Sequence, residues 1–416
     1  MDAALETSEA PLPPHQGHRI AIFDGYRAIA ALLVVATHVS YGTGFVLSRP
    51  FGAVAARFDI GVSIFFVLSG YLLYRAWAKS GLNGTAAPAV QPYLKRRMWR
   101  ILPAYWVVVI AVFLFMPGLH PSVGQSLANI ALVQNYGNDL QLAGLTQTWS
   151  VAVELTFYLA LPVIGWIAIR RFKGDVRNSM RRQLIVIGLC WLIGLVFTIM
   201  RTSGPLSANF GSGFWLPSNL DWFAVGMFAG LAQVRLTLPD PHRALVVLQK
   251  FARETATVLV ITAALFVVLT TPIAGPYTLL GADAFGGVIH HEFYPLIAFL
   301  FLLPGFLASS QRTLWHRFLC HPAMRFLGVI SYGIFLWHLL VQGVLVWAFH
   351  VEPFTGGFYW LFPLTVLVTI PLAWLSWVLI ERPGIARSKR LSSKRPKTKP
   401  SIAEIDKASS APTQVG

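Results

Sequence analysis

Several ionisable side chains fall inside segments that are otherwise apolar enough to cross a lipid bilayer. Asp24, Arg27 and His38 share the segment 22–42, Glu154 sits in 149–169, and His338 in 326–349. Charged and titratable groups are costly at membrane depth, so those that persist face the protein interior and mark a site, a relay or an ion pair. Arg27 and His38 are about 16 Å apart along a helix rising 1.5 Å per residue, which places one near a membrane surface and the other deep. An imidazole there has the near-neutral pKa of a general base for a hydroxyl acceptor. The plainer alternative is a histidine that hydrogen-bonds a neighbouring helix and does nothing more.

Three further groupings could carry chemistry. Arg97 and Arg100 are three residues apart ahead of Ile101, Leu102 and Pro103, so they share a helix face. Two guanidinium forks on one face can hold a phosphate-rich ligand, although a basic anchor at a membrane surface has the same spacing. Trp149, Ser150 and Glu154 open another segment, with Ser150 and Tyr158 on the face of Glu154. That carboxylate could orient a histidine, bind an acceptor sugar or pair with an arginine. His338, in Ser331-Tyr332-Gly333 to His338, could bond to His38 or Glu154, or be a satisfied core histidine. In the run Phe65 to Tyr71, Ser69 and Gly70 are small residues that read first as a helix contact.

The elements that must position these groups are transmembrane helices. The chain has 416 residues, 55% of them hydrophobic and 12% charged, with a mean hydropathy of +0.60, far from soluble composition. Apolar runs at 22–42, 58–78, 100–117, 149–169, 183–201, 217–235, 255–272, 291–309, 326–349 and 358–380 predict an all-α integral membrane bundle of about ten helices. The moderately apolar stretch 123–136 reads as a short external or re-entrant helix. Lys and Arg concentrate in alternate connections such as 75–100 and 170–182, while 118–148 and 273–289 contain none. The positive-inside rule then puts both termini in the cytoplasm. The net charge of +16 therefore reads as topology and attraction to anionic lipid rather than nucleic-acid binding. Residues 1–19 lack a basic region leading into a cleavable apolar core and read as a disordered cytoplasmic terminus without a removable signal. Residues 20–383 form the membrane domain, and 384–416 read as a basic disordered cytoplasmic tail. Cys190 and Cys320 read as packing residues, not a bridge.

Together, Asp24-Gly25-Tyr26-Arg27 with His38, Phe65 to Tyr71, Arg97 with Arg100, Thr148 to Glu154, Ser331 to His338 and the closing Glu381-Arg382-Pro383 resemble the acyltransferase-3 family of membrane O-acyltransferases. The resemblance covers about residues 20–383. It implies transfer of an acyl group, commonly acetyl from acetyl-CoA, to hydroxyls of cell-envelope glycans, lipids or, in some members, macrolides. It further implies that Arg27 and His38 are the family's paired arginine and histidine, that Arg97 and Arg100 are its Arg-x-x-Arg, and that Trp149, Ser150 and Glu154 are its tryptophan-serine-to-glutamate motif. Many members carry a second acid after that glutamate; Leu155 stands there in this chain.

On this reading His38 and Glu154 are catalytic, while Arg27, Arg97 and Arg100 bind acyl-CoA. Asp24, Trp149, Ser150 and His338 bind substrate. Acyl-CoA is a co-substrate, and neither a tightly bound cofactor nor a metal is expected. The expected partners are a glycan or lipid acceptor, the bilayer of the plasma membrane, and a partner acyltransferase or second copy, since no hydrolase-like domain accompanies the resemblance. A proton-coupled transporter or glycan exporter relaying protons through His38, Glu154 and His338 is the alternative.

Overall fold

The structure, a computed structural model, describes residues 21–48, 51–137, 139–170, 175–207, 210–274, 284–308 and 313–393, and these are helical or loop throughout. The helices are α1 (Ala21–Gly42), α2 (Phe51–Ala56), α3 (Ile60–Asn83), α4 (Val90–Phe115), α5 (Val123–Ile130), α6 (Trp149–Ile169), α7 (Val176–Ser203) and α8 (Leu220–Leu236). They continue with α9 (Arg243–Arg253), α10 (Thr255–Leu269), α11 (Ala284–Leu307), α12 (Leu314–Leu319), α13 (Pro322–Val329), α14 (Ser331–Ala348), α15 (Phe358–Ser376) and α16 (Arg382–Ser393). Eight of the helical stretches are long and apolar enough to span a membrane, and α9 with α10, bent by 87°, would make a ninth. The count differs from ten because α8 has 17 residues and α10 has 15. At 1.5 Å per residue these reach about 26 and 23 Å, short of a hydrocarbon layer of roughly 30 Å. The stretch at 123–136 is indeed a short helix, α5, started by a reciprocal capping box between Ser122 and Gln125.

The core is organised around α3 and α8, whose backbones nearly touch. A Cβ on Gly226 would lie 2.0 Å from the Val67 carbonyl oxygen, and one on Gly70 would lie 2.3 Å from that of Phe223. Glycine is therefore required at both positions, in the manner of close helix pairs in membranes. The approach stacks Phe66 on Phe223, with centroids 4.5 Å apart, and Phe223 on Phe157 of α6 at 3.9 Å. A similar approach joins α1 to α13, where a Cβ on Gly328 would meet the Asp24 carbonyl oxygen at 2.0 Å. Outward faces carry exposed aliphatic residues such as Leu189, Ile193, Val260 and Leu367, a surface suited to lipid rather than water.

The chain beyond α15 departs from the irregular tail expected from Gly384 onward. A π-helical turn, Trp377–Glu381, leads directly into α16, which runs to Ser393. Its docking on α4 supplies the reason. Pro103 has no N–H for the Trp99 carbonyl one turn earlier, and Gly384 packs so closely that a Cβ there would lie 2.8 Å from that oxygen. Arg387 lies over the Trp99 ring at 5.4 Å. Residues 1–20 and 394–416, on which the remaining expectations for the termini fall, lie outside the described residues.

Replacing Gly226 by valine must separate α3 from α8. We expect a loss of about 3 kcal/mol, in the range of overpacked cores, read as a lower thermal midpoint in detergent. An unchanged midpoint would show that the approach is not tight.

Candidate functional site

Four of these helices and α1 surround an internal cavity of about 80 Å³, room for roughly half a dozen waters. Arg27 enters it from α1, Ser69 from α3, Arg97 and Arg100 from α4, Ser150, Glu154 and Tyr158 from α6, and Tyr332 and Phe335 from α14. Its wall thus presents three guanidinium groups against the carboxylate of Glu154. Arg27 also pairs with the buried Asp24 one turn before it at 3.7 Å. Arg97 lies over the Tyr158 ring at 5.7 Å, and its buried Nε makes no hydrogen bond.

Glu154 is held from two sides. Ser69 Oγ and Tyr158 Oη both donate to its Oε1, each at 2.6 Å. The Tyr158 bond follows from the i, i+4 spacing, whereas the Ser69 bond depends on the position of α3. Ser69 is therefore a site residue as well as a small packing residue, and sequence periodicity alone does not reveal it. Tyr332 Oη donates to the Ile101 carbonyl at 3.0 Å, which ties α14 to α4 beside the arginines. The cavity wall thus carries three guanidinium groups and one carboxylate held by two hydroxyls.

His38 and His338 come together on another face of α1 and α14. Their rings are 5.0 Å apart, with His338 Nε2 3.3 Å from His38 Nδ1. His38 Nδ1 also lies 2.8 Å from the Val34 carbonyl, and His338 Nδ1 lies 3.2 Å from that of Ile334. Carbonyl oxygens only accept, so each Nδ1 carries the proton. His338 then offers the lone pair of Nε2 to His38 Nδ1–H. In its neutral form His38 is left with a basic Nε2, the atom a general base needs. Gln342 Nε2 donates to the His38 carbonyl at 3.2 Å and fixes that turn.

One aromatic residue, Phe335, touches both groups. Phe335 lines the cavity and packs its ring 6.0 Å from that of His338, while Phe65, also on the cavity wall, meets Phe335 edge-on at 6.1 Å. Of the residues singled out from sequence, Arg27, Arg97, Arg100, Ser150 and Glu154 meet at the cavity, and His38 and His338 pair behind Phe335. Asp24 acts through Arg27. Trp149 is not among the lining residues; its ring packs between Phe66 at 6.2 Å and Phe214 at 4.9 Å. Glu154 lines the cavity with Arg97 and Arg100, an arginine neighbour being one of the alternatives its sequence position leaves open. Among the described residues its Oε1 accepts from Ser69 and Tyr158, and no hydrogen bond links it to His338.

A second polar group went unread in the sequence. Asp221 of α8, together with His291 and Glu292 of α11, brings three potential ligand atoms within 4.8 Å of one another. Arg57 Nη1 lies 3.0 Å from His290 Nδ1, and Tyr294 donates to Asp59 nearby in sequence. The criterion that singled out His38 applies equally here, since Asp221 and His291 fall at the mouths of the apolar runs 217–235 and 291–309.

The acyltransferase domain of the acyltransferase-3 family matches residues 20–378. The chain is 26% identical over 387 residues to the peptidoglycan O-acetyltransferase OatA of Listeria monocytogenes, covering 86% of this chain and 55% of that protein. It is 25% identical to the O-acetyltransferase OatA of Staphylococcus aureus strain MRSA252, over 91% of this chain and 59% of the relative. To the putative peptidoglycan O-acetyltransferase YrhL of Bacillus subtilis it is 24% identical, over 91% and 57%. The chain thus spans somewhat over half the length of these relatives. No solved structure matches it. With an arginine-lined cavity and a histidine pair inside a polytopic helical membrane protein, the chain belongs to the acyltransferase-3 family.

Proposed function

We propose that the protein is a membrane O-acyltransferase that moves an acyl group, acetyl by preference, from acyl-CoA to a hydroxyl of a cell-envelope glycan in the plasma membrane. The observation that carries this reading is the meeting of Arg27, Arg97 and Arg100 in one cavity, a single aromatic residue from the His38–His338 pair. Peptidoglycan, named for relatives of this chain, supplies the acceptor class. The arginine-rich connections support a cytoplasmic donor side, with both termini there.

The guanidinium groups hold the CoA phosphates by charge-assisted hydrogen bonds, and the thioester points past Phe335 toward His38. His38 Nε2 takes the proton of the acceptor hydroxyl as its oxygen attacks the thioester carbonyl. The carbon–sulfur bond then breaks, and the imidazolium returns the proton to the departing thiolate, giving the ester and free CoA. His338 is a positioning residue that fixes the His38 tautomer. Glu154 positions Arg97 and balances part of its charge, with Ser69 and Tyr158 holding the carboxylate.

Membranes supplied with radiolabelled acetyl-CoA test the assignment. Label is expected in an extracted glycan fraction, falling about a hundredfold or more with His38→Ala, the scale of a lost general base. Arg97→Ala is expected to act mainly on donor binding, raising KM for acetyl-CoA about tenfold or more, the worth of one hydrogen bond to a charged group. Transfer undiminished by His38→Ala would remove that histidine from the mechanism, and transfer with unchanged KM in Arg97→Ala would remove the arginine from the donor site.

Glu154→Ala leaves the hydroxyls of half-buried Ser69 and buried Tyr158 without their acceptor, at about 2 kcal/mol of stability. Glu154→Gln keeps an acceptor and should lose less. Thermal unfolding of both variants checks the order, and equal losses would show that the two hydroxyls find other partners.

A further inference from the structure

We infer that Asp221, His291 and Glu292 form a binding site for one divalent transition-metal ion, joining α8 to α11 apart from the arginine cavity. His291 Nε2 and Asp221 Oδ2 meet as an ion pair at 2.9 Å that is not aligned as a hydrogen bond, and Asp221 Oδ1 and Glu292 Oε1 are buried without a hydrogen-bond donor. A close approach that is misaligned for hydrogen bonding is what two ligand atoms show when both point at a third body. Ligands around a tetrahedral zinc with bonds near 2.1 Å are separated by about 3.4 Å, which lies between the 2.9 Å of the His291–Asp221 pair and the 4.8 Å that bounds the whole group, a range that small rotamer adjustments cover.

Charge points the same way. Asp221 is fully buried and His291 is 8% exposed, and two carboxylates this close need a cation or a shared proton between them. Arg201 interacts electrostatically with Asp221 and supplies one positive charge against two negative ones. One imidazole nitrogen with two carboxylate oxygens suits zinc or manganese better than magnesium.

The surroundings hold each ligand from behind, as outer partners of metal ligands do. Trp191 Nε1 donates to Glu292 Oε2 at 3.2 Å. Trp222 Nε1 donates to the His291 carbonyl at 3.2 Å, and its ring lies 4.9 Å from the imidazole. On α7, Gly194 leaves room for the Asp221 carboxylate, since a Cβ there would lie 2.6 Å from Oδ1. These contacts order a polar cluster at the meeting of α7, α8 and α11 in which Asp221 Oδ1 and Glu292 Oε1 remain without a donor.

The test uses the full chain, free of affinity tags, in lipid nanodiscs, stripped with a chelator and then offered zinc, manganese or magnesium. About one zinc per chain should be retained and should raise the thermal midpoint, with no rise from magnesium. Glu292→Gln should weaken zinc binding at least tenfold while the variant remains monodisperse. X-ray absorption of the zinc-loaded wild type should show nitrogen and oxygen ligands with a single imidazole, which separates this site from the His38–His338 pair and holds even if the variant fails to fold. Zinc retention no greater than in protein-free nanodiscs, equal retention by Glu292→Gln, or a spectrum with two imidazoles would overturn the assignment. None of these readouts depends on acyl transfer.

Discussion

The contact on which the rest of the structure depends is the backbone approach of α3 to α8 at Gly70 and Gly226. In a bilayer no hydrophobic effect drives helices together, so packing must supply the attraction, and small residues permit it. This contact fixes the rotation of α3, which turns Phe66 into the stack with Phe223 and sends Ser69 into the cavity to bond Glu154. A looser pair would leave Glu154 with Tyr158 alone.

The cavity wall obeys a second constraint, that each charge inside the bundle needs a partner. Asp24 answers Arg27, Glu154 shares the wall with Arg97, and the buried Glu381 interacts electrostatically with Arg100. The histidine pair is the opposite arrangement, neutral and satisfied on one edge by carbonyl oxygens, so that one basic nitrogen stays available.

Much of this was legible in the sequence because the residues that matter break a local rule. His38, His338 and Glu154 are polar in apolar runs, and Arg97 with Arg100 shows its shared face by spacing. Positions whose role is set by another helix were not legible. Ser69 reads as a small packing residue until α6 is placed beside it, and the packing of Trp149 between Phe66 and Phe214 is set by helices that periodicity does not place. The partner of Glu154 was likewise open, because periodicity gives a residue's face and depth but not which helix it meets. The span count is eight or nine rather than ten for a different reason: α8 begins three residues late and α10 ends three residues early relative to their apolar runs. α16 reads as a tail because composition is blind to the docking of Gly384 on Trp99.

The π-helical turn at Trp377–Glu381 carries a consequence for how this part of the chain tolerates change in length. Such a turn holds one residue more than an α-helical turn, and each residue advances a helix by about 100°. Removing a single residue there would restore an uninterrupted helix and swing α16 by that angle, carrying Gly384 and Arg387 away from Trp99. The seam between α15 and α16 therefore acts as a phase-setting joint: substitutions that keep the count leave the face of α16 unchanged, whereas an insertion or deletion redirects its whole basic surface.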